Sequence, residues 1–579
     1  MSDGTLDADS ASANAPPAAF FGLNTWRAFY LLGTFACLLF VITLYFTPIA
    51  PIPIAGADDG HYLQQGLDIS RGHWLGAYNH MTLVKGPGLP LFLAISNLLR
   101  LPYSISIALV EAGSFFLLCL VVGRLARAPG LALAMLITLL CFPWMWSGNG
   151  LRILRDGFYT ALTFIFLALA FWTVWGDVTK RRTLGFAAGL VLGLASITRE
   201  ENPWFVPAVA ILILALWVAE RRRNGGLVSV AAIVLLGAIG VAGVRGVVLT
   251  LNYVNYKTFE ITEFREKNFR DALRALYSIE PPERIPFLVA SKEARAEAYK
   301  YSPTFSRLKV LLDGNPPTLE GWQAPGCPMY GGKVCGDYAG GWFLWAFRDA
   351  VTLVGAYADA ATASEFYRQM AEEITLACEK KQITCRYSPI AEIPPLVEAN
   401  FTLMRASLVN TVKLVTLATP MTAIRPRSAG PLEQVNASLD FLNHPIAAPH
   451  DTDPGSAIFS GNAPRAAVVF VQKEQNVVRS VFNAIWPFVC AIGVLGILFS
   501  TFVRRGTIAR DTLMVMTWTF LTLVLARVGL LTIVDATVHP GATMDYGNVA
   551  AYCLVASVVM GLYAAAQDLW RWRERREAP

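Results

Sequence analysis

Residues 56–93 read GADDGHYLQQGLDISRGHWLGAYNHMTLVKGPGLPLFL. They follow the first long apolar run of the chain, 28–48, and they concentrate chemistry where apolar sequence stops. Asp58 and Asp59 are adjacent, Tyr62 comes four residues after Asp58, and Lys85 stands in a Lys-Gly-Pro-Gly turn. Carboxylates and a lysine beside a bilayer are costly to desolvate, so such a cluster marks a functional site by default.

Composition says what surrounds this stretch. Of 579 residues, 54% are hydrophobic and 16% charged, with mean hydropathy +0.45, against about 25% charged in ordinary soluble domains. The apolar residues fall in blocks of membrane length, which defines an all-α polytopic membrane protein. The net charge of +6 does not point to nucleic acid, because the basic residues sit in short runs between apolar blocks, as topology signals do. The opening MSDGTLDADSASANAPP is polar and acidic with no basic n-region; residues 1–27 are expected to be a disordered cytoplasmic tail.

Runs long enough to span lie near 28–48, 104–123, 130–147, 157–175, 184–197, 203–219, 227–250, 481–502, 512–534 and 548–567, about ten helices in all. Arg124 and Arg127, Lys180–Arg182, Arg221–Arg223, Arg504–Arg505 and Arg571–Arg576 all fall on one side of such an arrangement. The positive-inside rule then places both termini in the cytoplasm. The opposite face receives the loop 49–103, the loop 148–156, Thr198–Asn202, a long segment 252–480, and 535–547. The expected division is a membrane module 28–251, an exterior domain 252–480, and C-terminal spans with a basic tail, 481–579. Pro87–Leu101 reads as an interfacial helix, with a short tilted span as the alternative; a span there would invert every later basic loop.

Residues 262–313 and 349–380 have helical periodicity, the patch Asp313–Trp345 is rich in Gly, Pro and Trp, and 420–465 looks like an irregular return to the membrane. The exterior domain is therefore expected to be mostly helical. Its tryptophans, Trp322, Trp342 and Trp345, suit core packing or stacking on a sugar. Five of the nine cysteines lie in apolar runs; the other four, Cys327, Cys335, Cys378 and Cys385, lie in this segment. Pairing Cys327–Cys335 and Cys378–Cys385 is the first expectation, in an oxidising compartment. A zinc site is the rival, with spacings wider than usual and no histidine nearby.

Two further loops on the same face pair arginine with carboxylate: Arg152-Ile-Leu-Arg155-Asp156, and Thr198-Arg199-Glu200-Glu201-Asn202. Snorkelling explains arginines at helix ends but not the acids beside them, so the three loops together suggest a polar cavity facing the lipid boundary. Asp58 and Asp59 could equally cap the helix that begins near His61. Three of the six histidines, His61, His73 and His80, fall in the first loop. His61, a turn from Asp58, could join it on a metal, or bond water and headgroups. His539 and the pair Asp545-Tyr546, in the last exterior loop, are candidate substrate contacts.

Asp-Asp-x-x-Tyr after the first span, Lys-Gly-Pro-Gly before an interfacial helix, Leu-Arg-Asp-Gly at the fourth span and Thr-Arg-Glu-Glu after the fifth resemble the GT-C membrane glycosyltransferases. The protein O-mannosyltransferases and lipid A aminoarabinose transferases are nearest in pattern, over about residues 28–251. The chain departs from them in having Gly86 where they carry proline, and Gly60-His61 after the acids. The resemblance implies a GT-C-like fold and transfer of a sugar, with inversion, from a polyprenyl-phosphate donor to a lipid, glycan or protein acceptor on the exterior face of a cell inner membrane. It implies Asp58 as base, Asp59 and Asp156 as further catalytic acids, and Lys85 as a cation for the donor phosphate. Arg155 and Arg199 are added as phosphate cations, and Tyr62, His61, Glu200, Glu201 and His539 as substrate contacts. Such a transfer needs a base for the acceptor proton and positive charge for the departing phosphate. A divalent ion beside Asp59 is one alternative source of that charge. Rival readings are a transporter or flippase using the same charges, although its acids would belong at the bilayer midplane, and an envelope assembly protein acting through its exterior domain.

Overall fold

Apolar stretches of some twenty residues can satisfy their backbone in a bilayer only as helices, and the chain is built that way. The computed structural model describes residues 25–577 apart from 57, 147, 224–225, 316, 391–392, 423–426, 453–457, 460–463, 508–510 and 540. The expected N-terminal tail lies almost wholly outside the described residues.

The first half contains α1 (Thr25–Tyr45), α2 (Asp59–Ser70), α3 (Gly88–Leu98), α4 (Tyr103–Ala126), α5 (Pro129–Cys141), α6 (Asp156–Trp175), α7 (Arg181–Thr198), α8 (Val206–Arg221) and α9 (Leu227–Tyr256). There follow α10 (Lys267–Ser278), α11 (Lys292–Tyr301), α12 (Pro303–Ser306), α13 (Lys309–Asp313), α14 (Gly326–Tyr330), α15 (Gly341–Leu353) and α16 (Ala360–Glu379). The chain closes with α17 (Glu398–Val415), α18 (Leu432–Phe441), α19 (Arg465–Val503), α20 (Thr512–Thr537), α21 (Ala542–Tyr546) and α22 (Asn548–Glu577).

Among the described residues, nine helices are long and apolar enough to cross a membrane; the sequence suggested about ten. The difference is α7, whose first two residues are Arg181 and Arg182. It nevertheless runs the full layer. It starts where Arg181 donates to the carbonyl of Val174 at the end of α6, and it ends where the carbonyl of Thr198 accepts from Arg155 at the start of α6. Gly185, Gly189 and Gly193 line one face of α7, and a Cβ on Gly189 would overlap the Gly237 carbonyl of α9. Small residues at such spacing let two helix backbones approach closely. α3, at 11 residues, rises only about 16 Å and is too short to span.

Ion pairs gather at the helix ends. Arg124, at the end of α4, packs on Trp26 at the start of α1. Arg181 pairs with Glu220 at the end of α8, and Arg504, just past α19, pairs with Asp511 and Asp568. The basic runs thus meet at one end of the bundle, and the acid-bearing loops gather at the other.

A second hydrophobic core is built from Phe269, Leu276, Phe305, Phe343, Phe347, Tyr367 and Ile374 among others, spanning α10 to α16. Its Arg295 is fully buried and held by Asp313 and Asp337 at 2.5 and 2.8 Å. Disulfides join Cys327 to Cys335 and Cys378 to Cys385, and the five other cysteines are free. The tryptophan patch divides: Trp322 donates to Asp349 at 2.8 Å, and Trp342 stacks towards His539. α17 packs along α20 and α18 on α2. A two-residue strand pair, Ile446–Ala447 with Ile458–Phe459, sits beside Ile49, just beyond α1.

Candidate functional site

The first loop is strapped down before it does anything else. Trp74 Nε1 donates to Asn252 Oδ1 at 2.7 Å, and the Tyr256 hydroxyl donates to the carbonyls of Trp74 and Gly76. The backbone of Glu263 donates to Leu83, and Arg348 to the carbonyl of His80. α2 buries His61, Tyr62, Gln65 and Gly66 on one face, and Gln65 Nε2 reaches the Thr82 carbonyl at 2.8 Å.

Neither aspartate caps α2 in the usual way. Asp58 occupies the N-cap position with no side-chain cap bond. Its Oδ1 instead accepts from Lys85 Nζ at 2.5 Å, and its Oδ2 lies 3.8 Å from Arg152 Nη2. Asp59 turns inward and is fully buried. It accepts from Arg152 Nε and Nη2 at 3.1 and 2.5 Å and from the backbone of Ile153 at 3.0 Å. That pattern clamps the first loop to the loop 148–156, so the two adjacent acids have separate work.

The other charges form a lattice behind this pair. Arg155 Nη1 donates to Glu200 Oε2 at 2.8 Å and to the Thr198 carbonyl at 3.2 Å. Glu200 Oε1 also accepts the Gly86 backbone N–H at 2.8 Å. Arg199, fully buried, pairs with Asp156 and lies over the rings of Tyr159 and Tyr546, 5.7 and 4.6 Å from their centroids. Glu201 accepts from Arg527 of α20 at 2.5 Å. Burial alone would raise the Glu201 carboxyl, but Arg199, Arg527 and Arg155 hold it well below the usual carboxylate range.

Gly86 explains one departure noted above. Its N–H is in use, which proline would forbid, and a Cβ there would overlap the Ile197 carbonyl. Gly60 is similar: a Cβ would overlap the Pro53 carbonyl.

Exposure separates the acids by what they can do. The Asp58 side chain is 41% exposed, against 0% for Asp59, 11% for Asp156, 16% for Glu200 and 33% for Glu201. Asp58 is also the one whose close partner is a lysine, and Lys85 lies 5.2 Å from the centroid of the buried Tyr62 ring. For Asp58 too, burial pushes the carboxyl up, but Lys85, then Arg152 and Arg155, outweigh it and hold it below the ordinary aspartate value. It is ionised at neutral pH.

His61 is buried, and burial with Lys85 and Arg155 nearby pushes its ring down to about 3. Two cations facing a neutral imidazole are a poor setting for a metal ion, and no three His, Cys, Asp or Glu side chains among the described residues come together as ligands. His539 stands apart, between Trp342 and Tyr546 at 6.1 Å ring separation from each. The side chain of Asp545 lies outside the described residues.

The sequence reading passed over Arg152, quoted but given no role, and Arg527. The signal for Arg527 was present: it is the one Asp, Glu, Lys or Arg between Thr512 and Val534, and a charge inside a span marks function or a buried partner.

These features define a polytopic all-α membrane protein with a lattice of arginines and carboxylates at one end of its bundle, beside a partly exposed, lysine-paired aspartate, Asp58. No family model matches the sequence, and no curated protein does. Among solved structures, it is similar to ArnT from Cupriavidus metallidurans bound to undecaprenyl phosphate, at 14% identity and TM-score 0.32, over 92% of this chain and 77% of that one. ArnT in the apo state gives 13%, 0.33, 92% and 78%.

Proposed function

We propose that the chain is a GT-C-like membrane glycosyltransferase that moves a sugar from a polyprenyl-phosphate donor to an acceptor hydroxyl, with inversion. The observation that carries this reading is the Asp58–Lys85 pair: an ionised, partly exposed carboxylate 2.5 Å from a lysine ammonium, set in a wall of acids already committed to arginines. The motif order and its resemblance to GT-C enzymes support it.

In the proposed step, the acceptor O–H gives its proton to Asp58 as its oxygen attacks the anomeric carbon. The bond from that carbon to the phosphate oxygen breaks, and the phosphate leaves with the electron pair. Lys85 meets the charge that develops there. As Lys85 turns to the phosphate, Asp58 loses its closest counter-charge and becomes a stronger base. Arg155 and Arg199 act as framework here, since both are buried on carboxylates, Glu200 and Asp156, and Asp59 is a positioning residue through Arg152. The acceptor is a lipid, glycan or protein hydroxyl, and membrane lipids complete the surroundings.

The gathering of basic runs at one bundle end supports a multi-pass inner-membrane protein with both termini cytoplasmic and 252–480 outside. It also supports the division into 28–251, 252–480 and 481–579. Reporter fusions at Arg223 and Gly430 should report opposite compartments.

Purified protein incubated with radiolabelled polyprenyl-phosphate hexoses should release or transfer the label. Asp58→Asn should cut turnover about 100- to 10,000-fold with only a modest fall in melting, because Asp58 makes no cap bond to lose and its ion pair to Lys85 is partly exposed. Turnover within a few-fold of wild type would remove Asp58 as the base. A wild-type protein inert towards every such donor would end the reading.

A further inference from the structure

Lys85 closes a stretch, 78–85, whose contacts run into the second hydrophobic core. Tyr78 packs against that core. The His80 carbonyl accepts from Arg348 of α15, and His80 Nε2 lies 3.3 Å from Asp349, the next residue on that helix. Two residues before Lys85, the Leu83 carbonyl accepts from the backbone of Glu263 at 2.8 Å. One residue after Lys85, Gly86 is tied to Glu200. Lys85 is therefore bracketed by two fixed points, and one of them belongs to the side of the molecule that carries α10–α16.

The anchor behind His80 and Leu83 is a buried polar knot. Glu263 pairs with Arg348 and accepts from the Tyr357 hydroxyl at 2.7 and 2.9 Å, and that hydroxyl also meets Tyr367 at 2.7 Å. Arg348 and Tyr367 are fully buried. The rings of Phe264, Phe269 and Tyr357 surround the guanidinium, with centroids 5.6, 5.7 and 5.4 Å away. A buried ion pair returns little net stability, because desolvation consumes most of the attraction. What this one supplies is a fixed direction for backbone groups of the first loop. Within the stretch, the Asn79 N–H donates to Thr82 Oγ1 at 2.9 Å, that hydroxyl donates to the Ala77 carbonyl at 3.0 Å, and Val84 is fully buried. A turn this tight passes a displacement at His80 or Leu83 on to Lys85.

We infer that Arg348 and Glu263 are positioning residues of the transfer site, and that the core of α10–α16 is thereby a working part of it. They act through His80 and Leu83 on where Lys85 Nζ stands relative to Asp58. Reacting groups need neighbours whose own conformers are locked, and the knot is built from locked side chains. The inference rests on the transfer reading and adds what fixes its cation. On this account, changes in α15 alter the rate of transfer itself, and not only the recognition of an acceptor.

The test uses purified full-length protein in detergent and the double variant Arg348→Met/Glu263→Gln, which removes both charges and leaves neither buried alone. The comparison is Cys378→Ser/Cys385→Ser, which loosens the same core away from 78–85. Both are measured below their melting temperatures. Amide hydrogen exchange in a peptide covering 78–86 should be about tenfold faster in the first variant only. Its kcat/KM for a polyprenyl-phosphate hexose should fall about 100-fold, the cost of a shift of about 1 Å at a reacting group. Its acid limb should move to higher pH, as Asp58 loses its nearest cation. The disulfide variant should keep wild-type values in all three. If the double variant does not fold, Tyr357→Phe takes one donor from Glu263 and should give the same pattern, with kcat/KM down about 3- to 10-fold. Wild-type exchange in 78–86, an acid limb that stays in place, faster exchange with wild-type kcat/KM, or equal losses in the disulfide variant would each overturn the inference. A wild type inert towards every donor brings down the transfer reading and this role together. An active wild type with an equally active double variant removes this role alone.

Discussion

Lys85 Nζ sits 2.5 Å from Asp58 Oδ1, although 27 residues separate the two. The lysine reaches that point because the Lys-Gly-Pro-Gly turn is seated on the end of α7, where Gly86 donates to Glu200. The first loop is thereby seated from behind by its backbone, in addition to the Asp59–Arg152 clamp.

The pair sets a pH dependence. The Asp58 carboxyl is lowered from 3.8 because burial, which raises it, is outweighed by Lys85, Arg152 and Arg155. A depressed carboxyl contributes stability above the unfolded aspartate value and loses it as pH falls through the lowered one. The acid limb of kcat/KM should likewise lie below the ordinary aspartate range. In Lys85→Met the limb should move to higher pH while KM for donor rises. A limb that stays in place would show that Lys85 does not hold Asp58 ionised.

Asp59→Ala should behave unlike Asp58→Asn. It removes the buried partner of Arg152, and breaking a buried pair from one side costs about 3–5 kcal/mol. Melting in detergent should fall clearly. Adding Arg152→Met should recover part of the loss, the non-additivity expected of contacting residues. Full additivity would mean that the clamp is not a unit.

The disulfides close loops with sequence separations of 8 and 7, and crosslinks that short are worth about 2–3 kcal/mol in the chain-entropy account. Replacing Cys378 and Cys385 by serine should lower melting of the α10–α16 region, and reductant should lower wild type further than the variant. Mass spectrometry of a non-reduced digest that found four free thiols would contradict both bridges.

Gly86→Ala places a Cβ against the Ile197 carbonyl, so the turn must lift off α7 and carry Lys85 with it. Misplacing a reacting group by about 1 Å can cost about 100-fold. We expect a loss of that order in kcat/KM with a small change in melting. Glu200→Gln keeps an acceptor for the Gly86 N–H and should be milder. Wild-type kcat/KM in Gly86→Ala would show that the turn does not position Lys85.

Much of this architecture was legible from residue order. Apolar run length reads the spans directly, because a bilayer leaves the backbone no other solution. Short-range cysteine pairing needed only proximity, and Asp58 and Lys85 stood out as charges beside a membrane. What stayed hidden was direction and distance. Nothing local to Asp58-Asp59 says that the second acid turns inward to Arg152, since that depends on a loop 93 residues away. α7 was read from its apolar run, but only its ends against α6 show that it crosses the layer despite two leading arginines. α17 carried no clear signal that it would lie along α20.

Glu201 meets Arg527 across 326 residues of chain, and Gln475 meets Thr47 across 428. During synthesis, the acids of the first loops therefore emerge long before the arginine that neutralises one of them. Until the last helices are inserted, Glu201 has no Arg527, and the wall behind Asp58 is incomplete. On the proposed reading, a chain that stops before α20 should lack transfer activity, because Glu201 then has no Arg527 to meet.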